Sequence, residues 1–208
     1  MARREGGKTG ALQSLAGAPT VYGKYQCRIT LTNVCQDGPH SVACRASRED
    51  DSKFLQAVYA STRSEELSQV PWTSEERERF VQQQFHAQDH SYRNNYPGAE
   101  FLIVVVDDTD AGRLYVHRRP DEIRIMDIAL LPDFRGKGIG SRLLKELLRE
   151  GEISSRMVTI HVEAFNPALR LYLRLGFKQV AENGVYYLME WRPSAWSSQT
   201  GTAPATAS

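Results

Sequence analysis

A glycine-rich turn between a strand-like segment and a helix-like segment constrains this chain more than any other feature. Residues 123–131 are apolar and β-branched, as in a buried strand, and Pro132 ends them because proline has no N–H for a sheet. Three glycines follow within five residues, at 136, 138 and 140, and apolar pairs at 143/144 and 147/148 then predict a helix. A glycine turn therefore opens a helix directly after a strand.

The turn has the composition of an anion-binding site. The first N–H groups of a helix have no partner within the helix, and the helix dipole makes that end positive. Glycines allow the backbone to approach a ligand closely, and Arg135 and Lys137 add two cations. We therefore predict a phosphate-binding turn; the structural alternative is a tight turn that only starts a helix.

Two familiar phosphate-binding folds do not fit. The Rossmann fingerprint is G-x-G-x-x-G, whereas the glycines here are spaced G-x-G-x-G. Residues 6–9 end like a P-loop, but its first glycine would fall on Ala2 and no strand-like segment precedes it. Both readings are rejected.

The pattern Arg135-x-x-Gly138-x-Gly140 after an apolar strand resembles the acetyl-CoA-binding motif Q/R-x-x-G-x-G/A of the GNAT N-acetyltransferase superfamily. A second stretch, from Asn166 to Phe177, is similar to the later motif N-x-x-A-x-x-L-Y-x-x-x-G-F of that superfamily. The resemblance covers roughly residues 42–191. It implies an α+β fold with a mixed, mostly antiparallel twisted sheet of six to seven strands and about four helices.

The remaining pattern agrees with that fold. Three strand-like segments joined by hairpin turns lead into the glycine turn, which disagrees with a doubly wound parallel sheet. A helix is predicted from Thr73, with Glu76 completing a capping box, to about Gln88, and 94–98 is predicted as a loop. Gly151 predicts the end of the helix that follows the glycine turn.

The 208 residues suit one domain with additional segments at both ends. We expect an N-terminal extension at 1–40, partly disordered with a strand-like segment at 25–34, an acetyltransferase domain at 41–192, and a disordered tail at 193–208.

Composition limits the partners and the cellular compartment that we expect for the protein. A net charge of +1 gives no steering towards nucleic acid or anionic membranes, and no apolar run is long enough to span a bilayer. Cys27, Cys35 and Cys44 lack zinc spacing and predict reduced thiols in a cytoplasmic protein. His86 and His90 have helical metal-ligand spacing, but a solvated face is favoured, and no metal is expected.

The resemblance assigns roles to individual residues, with acetyl-CoA as co-substrate. Backbone groups of Ile128, Ala129 and Leu130 would bind the pantetheine arm, and an N–H near Leu130 would stabilise the oxyanion. Asn166 would contact pantetheine, and Tyr172 would donate a proton to the leaving thiolate. The pyrophosphate would be held by Arg135, Gly136, Lys137, Gly138, Ile139 and Gly140.

An attacking amine must be neutral, so a base or a water path to one is needed. Asp127 and Glu163 lead the candidates, while Glu122 and His161 stay open. Asp127 lies in an apolar strand, where a lone carboxylate is costly unless it is paired or functional.

The expected function is N-acetyl transfer to a primary amine of a small molecule or peptide. Alternatives are a non-catalytic acetyl-CoA-binding sensor and an interaction module that uses residues 25–34. The acceptor is not specified by any motif, because specificity would lie in loops at 62–72 and 89–100. Arg113, Arg118 and Arg119 form a basic cluster in sequence, and a homodimer is implied only as a tendency of the family.

Overall fold

The computed structural model describes residues 39–197. Seven strands form one sheet in the order β1-β2-β3-β4-β5-β7-β6, and every neighbouring pair is antiparallel except the parallel β4–β5 pair. The predicted α+β fold with a mixed, mostly antiparallel sheet is therefore confirmed. The elements in chain order are β1 (Val42–Ala46), α1 (Ser52–Ser68), α2 (Ser74–Asn95), β2 (Glu100–Val106), β3 (Thr109–Arg118), β4 (Glu122–Leu130), α3 (Ile139–Ser154), β5 (Met157–Glu163), α4 (Leu169–Arg174), β6 (Lys178–Asn183), β7 (Tyr186–Trp191) and the single turn α5 (Ser194–Ser197).

Helices cover both faces of the sheet. One buried cluster joins α3 and α4 to the sheet and includes Leu143 and Leu147 against Ile125. A second, smaller cluster joins α1 and α2 to the opposite face and includes Phe85 against Ile103. Successive residues of a strand point to opposite faces, so the unbroken apolar run of β2 fits a strand that is covered on both sides.

The parallel pair β4–β5 separates halfway along its length. The strands are paired over four residues, from Glu122↔Met157 to Ile125↔Ile160. A β-bulge in β4 follows immediately, because the register with β3 shifts between Tyr115 and Val116. From there to its end, β4 has an edge that faces an opening instead of a neighbouring strand.

Two predicted helix ends are wrong. Helix α3 continues past Gly151 to Ser154, and Ser155 ends it in the left-handed conformation (φ 52°). Gly151 is required for packing instead, since a Cβ there would lie 2.9 Å from both the carbonyl oxygen of Arg156 and a methyl group of Val158. Helix α2 continues past Gln88 to Asn95, so 89–95 are helical and not part of the predicted loops at 89–100 and 94–98. Helix α1 continues to Ser68, so 62–68 of the predicted loop at 62–72 are helical as well.

The start of α2 is as predicted. The Thr73 hydroxyl accepts from the Glu76 N–H, and the Glu76 carboxylate accepts from the Thr73 N–H at 2.8 Å. The ring of Trp72, just before this helix, packs against Phe80 of α2 at 5.0 Å between centroids.

Several predictions lie outside the described residues. They are the extension up to residue 38, its strand at 25–34, the thiols Cys27 and Cys35, and the tail beyond 197. Within 39–197 no helix is long and apolar enough to cross a membrane.

Candidate active site

The separation of β4 from β5 leads into a cleft of about 630 Å³. The cleft is bounded by the end of β4, the glycine turn, the first turns of α3 and the segment that carries α4. Its lining residues are Thr62, Ile128, Ala129, Leu130, Phe134, Arg135, Gly136, Gly138, Ile139, Gly140, Ser141, Leu144, Asn166, Pro167, Ala168, Leu171, Tyr172 and Arg174. Most of the predicted cofactor-binding residues therefore come together in one cavity.

The glycine turn presents a row of unpaired N–H groups. Gly136 and Gly138 have positive φ angles, 72° and 78°, which other residues adopt only at a cost. No atom lies within 4 Å of the position of a Cβ on either glycine, so the turn is open on that side. The backbone N–H groups of residues 136–141 donate no hydrogen bond to other described residues. With the positive end of the α3 dipole, this arrangement suits a phosphate group.

The free edge of β4 adds a second set of backbone groups. The N–H of Leu131 points to β3, where it donates to the carbonyl of Ala111. Because backbone groups alternate along a strand, Ile128 and Leu130 present theirs to the opening, whereas those of Ala129 face β3. All three residues line the cleft, and two of these three predicted pantetheine contacts have backbone groups turned towards the opening.

The two predicted cations are not directed into the turn. Nε of Arg135 donates to the carbonyl of Leu130 at 2.7 Å, and its Nη2 donates to Oγ of Ser61 in α1 at 2.9 Å. Nζ of Lys137 lies 5.7 Å from the centre of the Phe134 ring, and Lys137 does not line the cleft. An anion at the turn would therefore be held first by backbone N–H groups. Ile139 also offers only its backbone, since its side chain is 1% exposed in the core.

Tyr172 reaches the cleft from α4. Its ring is buried and packs edge-to-face against Phe177 at 5.7 Å, while its hydroxyl has no hydrogen-bond partner among the described residues and is not sealed from the cleft. Burial, and next the negative charge of Asp127, raise the pKa of Tyr172 well above its usual value. The phenol thus stays protonated at neutral pH, as a proton donor must. Nearby, Asn166 uses its side-chain oxygen to accept from the N–H of Ala168 at 2.9 Å.

The two leading base candidates lie on the side of the sheet that faces α1 and α2. Asp127 is paired with Arg113 of β3, whose Nη2 lies 2.7 Å from Oδ2. Glu163, at the end of β5, lies 3.4 Å from both Nη1 of Arg63 in α1 and the hydroxyl of Tyr186. Of the two, Asp127 is close enough to Tyr172 for its charge to affect the pKa of the phenol.

The other two candidates have different surroundings. Glu122 is buried, accepts a short hydrogen bond from the Thr159 hydroxyl and pairs with Arg119 at 3.1 Å. Its position opposite Met157 in the paired part of the two strands separates it from the opening. His161 is the residue of β5 just beyond the last pair with β4, and burial and then Arg124 lower its pKa.

The basic cluster in sequence is not a cluster in space. Arg113 pairs with Asp127, Arg118 with Glu150, and Arg119 with a third carboxylate, that of Glu122. The sequence analysis missed the role of Arg113 beneath the cleft and that of Ser61 and Arg63 beside it. Alternation in β3 places Arg113 on the Tyr115 face, but no local signal indicates that α1 and α2 bury that face.

Metal-ligating groups are not assembled in the described part of the chain. Within 39–197, no group of three His, Cys, Asp or Glu residues could hold a metal ion. Nε2 of His90 lies 2.8 Å from the side-chain amide of Asn94, one turn further along α2.

Comparison with protein families matches residues 97–179 to the acetyltransferase (GNAT) domain. The matched segment contains β4, the glycine turn, α3 and Tyr172, so the resemblance to the GNAT superfamily is confirmed. No curated protein sequence matches the chain.

Solved structures share the fold. A PaiA N-acetyltransferase from Thermoplasma acidophilum in complex with coenzyme A is 19% identical, with a TM-score of 0.57 over 73% of this chain and 99% of that one. PH1933 from Pyrococcus horikoshii OT3 is 20% identical, with a TM-score of 0.54 over 74% and 99%. RimL, a ribosomal L7/L12 alpha-N-protein acetyltransferase in complex with coenzyme A, is 18% identical, with a TM-score of 0.54 over 79% and 98%. At these identities the likeness is one of fold.

Proposed function

We propose that this chain, which carries a GNAT acetyltransferase domain, transfers the acetyl group of acetyl-CoA to a primary amine of a small molecule or peptide. The transfer proceeds by direct attack in a ternary complex within a catalytic domain at 41–192. One observation carries the proposal: a single cleft contains an open strand edge, a turn of unpaired N–H groups and the hydroxyl of Tyr172.

The residues of the cleft fit acetyl-CoA. Backbone N–H groups of 136–141 suit its pyrophosphate, because they are unpaired and stand at the positive end of α3. The backbone N–H and carbonyl of Ile128, on the free edge of β4, suit an amide of its pantetheine arm, which would pair like a short strand. Asn166 and Ala129 complete the wall.

Acetyl-CoA supplies a thioester whose carbonyl carbon accepts a nucleophile. The N–H of Leu130 points into the opening and would stabilise the negative charge that develops on the carbonyl oxygen. Tyr172 would donate its proton to the sulfur as the C–S bond breaks and the C–N bond to the amine is made. The proton lost by the amine nitrogen restores the phenol, so that an amide and free CoA are the only products.

The experiment measures CoA release from acetyl-CoA across free amines, amino acids and peptides, with Tyr172→Phe beside the wild type. A general acid contributes about 10²- to 10⁴-fold, so we expect kcat to fall by about 10²-fold or more. The dissociation constant of CoA, measured by calorimetry, should stay within about threefold because the contacts of the turn and the strand edge remain.

Tyr96→Phe is the matched control, since Tyr96 packs against Tyr92 and His117 and does not line the cleft. It should leave kcat unchanged. Saturable acetyl-CoA binding without CoA release on any amine would reject the enzyme and favour the sensor alternative. Absence of acetyl-CoA binding would reject both.

A further inference from the structure

Arg113 of β3 is enclosed between the sheet and helices α1 and α2, where it contacts Tyr59 and Gln88. It is 2% exposed, and its guanidinium carbon lies 5.8 and 5.3 Å from the ring centres of Tyr59 and Tyr115. Nη2 donates to Gln88 at 3.0 Å and to Asp127 at 2.7 Å. Nε and Nη1 are buried without a hydrogen-bond partner among the described residues. A guanidinium so poorly solvated depends on the charge of Asp127 for compensation.

Asp127 stands where the two strands separate. It lies directly opposite Tyr115 in β3 and two residues beyond the last residue of β4 that pairs with β5. Its Oδ2 is taken by Arg113, whereas its Oδ1 accepts no hydrogen bond from the described residues. The side chain is 15% exposed, and its negative charge, after burial, contributes to the raised pKa of Tyr172. Arg113 thus holds one oxygen of the Asp127 carboxylate, and the other oxygen has no partner among the described residues.

We infer that Asp127 binds the positively charged amine of the acceptor through its free oxygen, and that Arg113 is the residue that positions it. The inference rests on the proposed function and narrows it to acceptors that arrive as ammonium cations. Asp127 can bind a cation through Oδ1 while Oδ2 keeps its hydrogen bond from Arg113. The ammonium releases a proton to water in the open cleft, and the neutral nitrogen is then already oriented for attack.

Glu163 is less suited to this task. Its Oε1 already lies 3.4 Å from both Arg63 and the Tyr186 hydroxyl, and its charge has no effect on Tyr172 comparable to that of Asp127. It stands at the end of β5, on the far side of the opening from the free edge of β4. The two carboxylates therefore differ in whether an oxygen is free and in their proximity to the phenol.

The test uses two nucleophiles of different charge at saturating acetyl-CoA: n-butylamine, a cation at neutral pH, and hydroxylamine, which is uncharged there. The quantity measured is the ratio of their kcat/KM values. We expect Asp127→Asn to lower this ratio about tenfold to a hundredfold, mainly through the KM of n-butylamine, because a charge-assisted hydrogen bond is lost. In titrations of the CoA complex, Asp127→Asn should weaken the binding of n-butylammonium by a similar factor and leave the binding of the uncharged n-butanol unchanged.

Arg113→Met should lower the ratio in the same direction, and Arg113→Lys should restore part of it because it keeps the charge and loses the fork geometry. Asp51→Asn is the matched control, since the side chain of Asp51 is 12% exposed and pairs with Arg45 away from the cleft. It should leave the ratio unchanged.

An unchanged ratio in Asp127→Asn, with both nucleophiles used by the wild type, would overturn the inference alone. If both Arg113 variants lower kcat/KM equally for the two nucleophiles, Arg113 does not position Asp127 for a cation. If the wild type releases CoA in the presence of none of the amines, the proposed function is refuted, and the inference with it.

Discussion

Glu150 offers a test of how the fold tolerates buried charge. It lies in α3, is 3% exposed, and accepts from Arg118 Nε at 2.8 Å, Arg118 Nη2 at 2.9 Å and Arg156 Nη2 at 2.7 Å. Nη1 of Arg118 also lies 2.9 Å from the more exposed Glu100, without the alignment of a hydrogen bond. Glu150→Gln keeps the shape of the side chain and removes the charge that compensates two arginines.

Breaking a buried ion pair by removing one partner costs about 3–5 kcal/mol. We expect the lower end, about 3 kcal/mol, because the two arginine side chains are 15% and 16% exposed and regain some hydration. That is a large part of the about 5–15 kcal/mol by which folded domains are stable. The assay is urea unfolding at neutral pH, followed by circular dichroism, with the slope of the transition compared between variants.

Arg149→Gln is the control on the neighbouring residue of α3. Arg149 is 54% exposed and pairs with Glu146 one turn away, so its loss should cost less than about 1 kcal/mol. Replacement of all three charges by Arg118→Met, Glu150→Leu and Arg156→Met should recover most of the loss, because no buried charge is then left unpaired. Equal costs for Glu150→Gln and Arg149→Gln, or a triple variant less stable than Glu150→Gln, would refute the reasoning.

Three further predictions concern other parts of the fold. Burial and then Arg124 lower the pKa of His161 in the folded state. Its contribution to stability is therefore complete above the usual pKa of histidine and is lost as the pH falls through the lowered pKa. In urea unfolding, the wild type should lose more stability than His161→Gln between about pH 7.5 and pH 5. In Gly112→Ala, the new Cβ would lie 2.2 Å from the carbonyl oxygen of Ala129, so β4 must shift, and we expect a loss of about 2–3 kcal/mol together with weaker CoA binding by calorimetry. Thr73→Ala removes the cap of α2 and should cost about 1 kcal/mol in the same unfolding assay; no change would mean that the capping box does not stabilise α2.

The part of the cleft formed by the glycine turn and Tyr172 could be predicted because its residues belong to short contiguous stretches of sequence. The apolar strand, Pro132, the glycines and the start of α3 follow one another within a short stretch, and Tyr172 belongs to a second short motif. Positive φ angles at Gly136 and Gly138 are a backbone property that the sequence pattern expresses directly.

The ion pairs of Asp127 and Glu163 could not be predicted, because they join distant parts of the chain. Arg113 and Asp127 are 14 residues apart, and Arg63 and Glu163 are 100 apart, so no local pattern links either pair. The predicted end of α3 was wrong for a related reason. A glycine near a helix end predicts a cap, but Gly151 is needed for close packing against Val158 of β5.

The ion pairs of the fold have a consequence for chemical modification. Among residues 39–197, every ion pair to a carboxylate is made by an arginine or by His40, and none by a lysine. A lysine amine is the kind of group that an acyl donor modifies, whereas a guanidinium remains protonated. The lysines in this range, Lys53, Lys137, Lys145 and Lys178, are all exposed. Acylation of these lysines by acetyl-CoA, the proposed co-substrate, would therefore change the surface charge and leave these ion pairs intact.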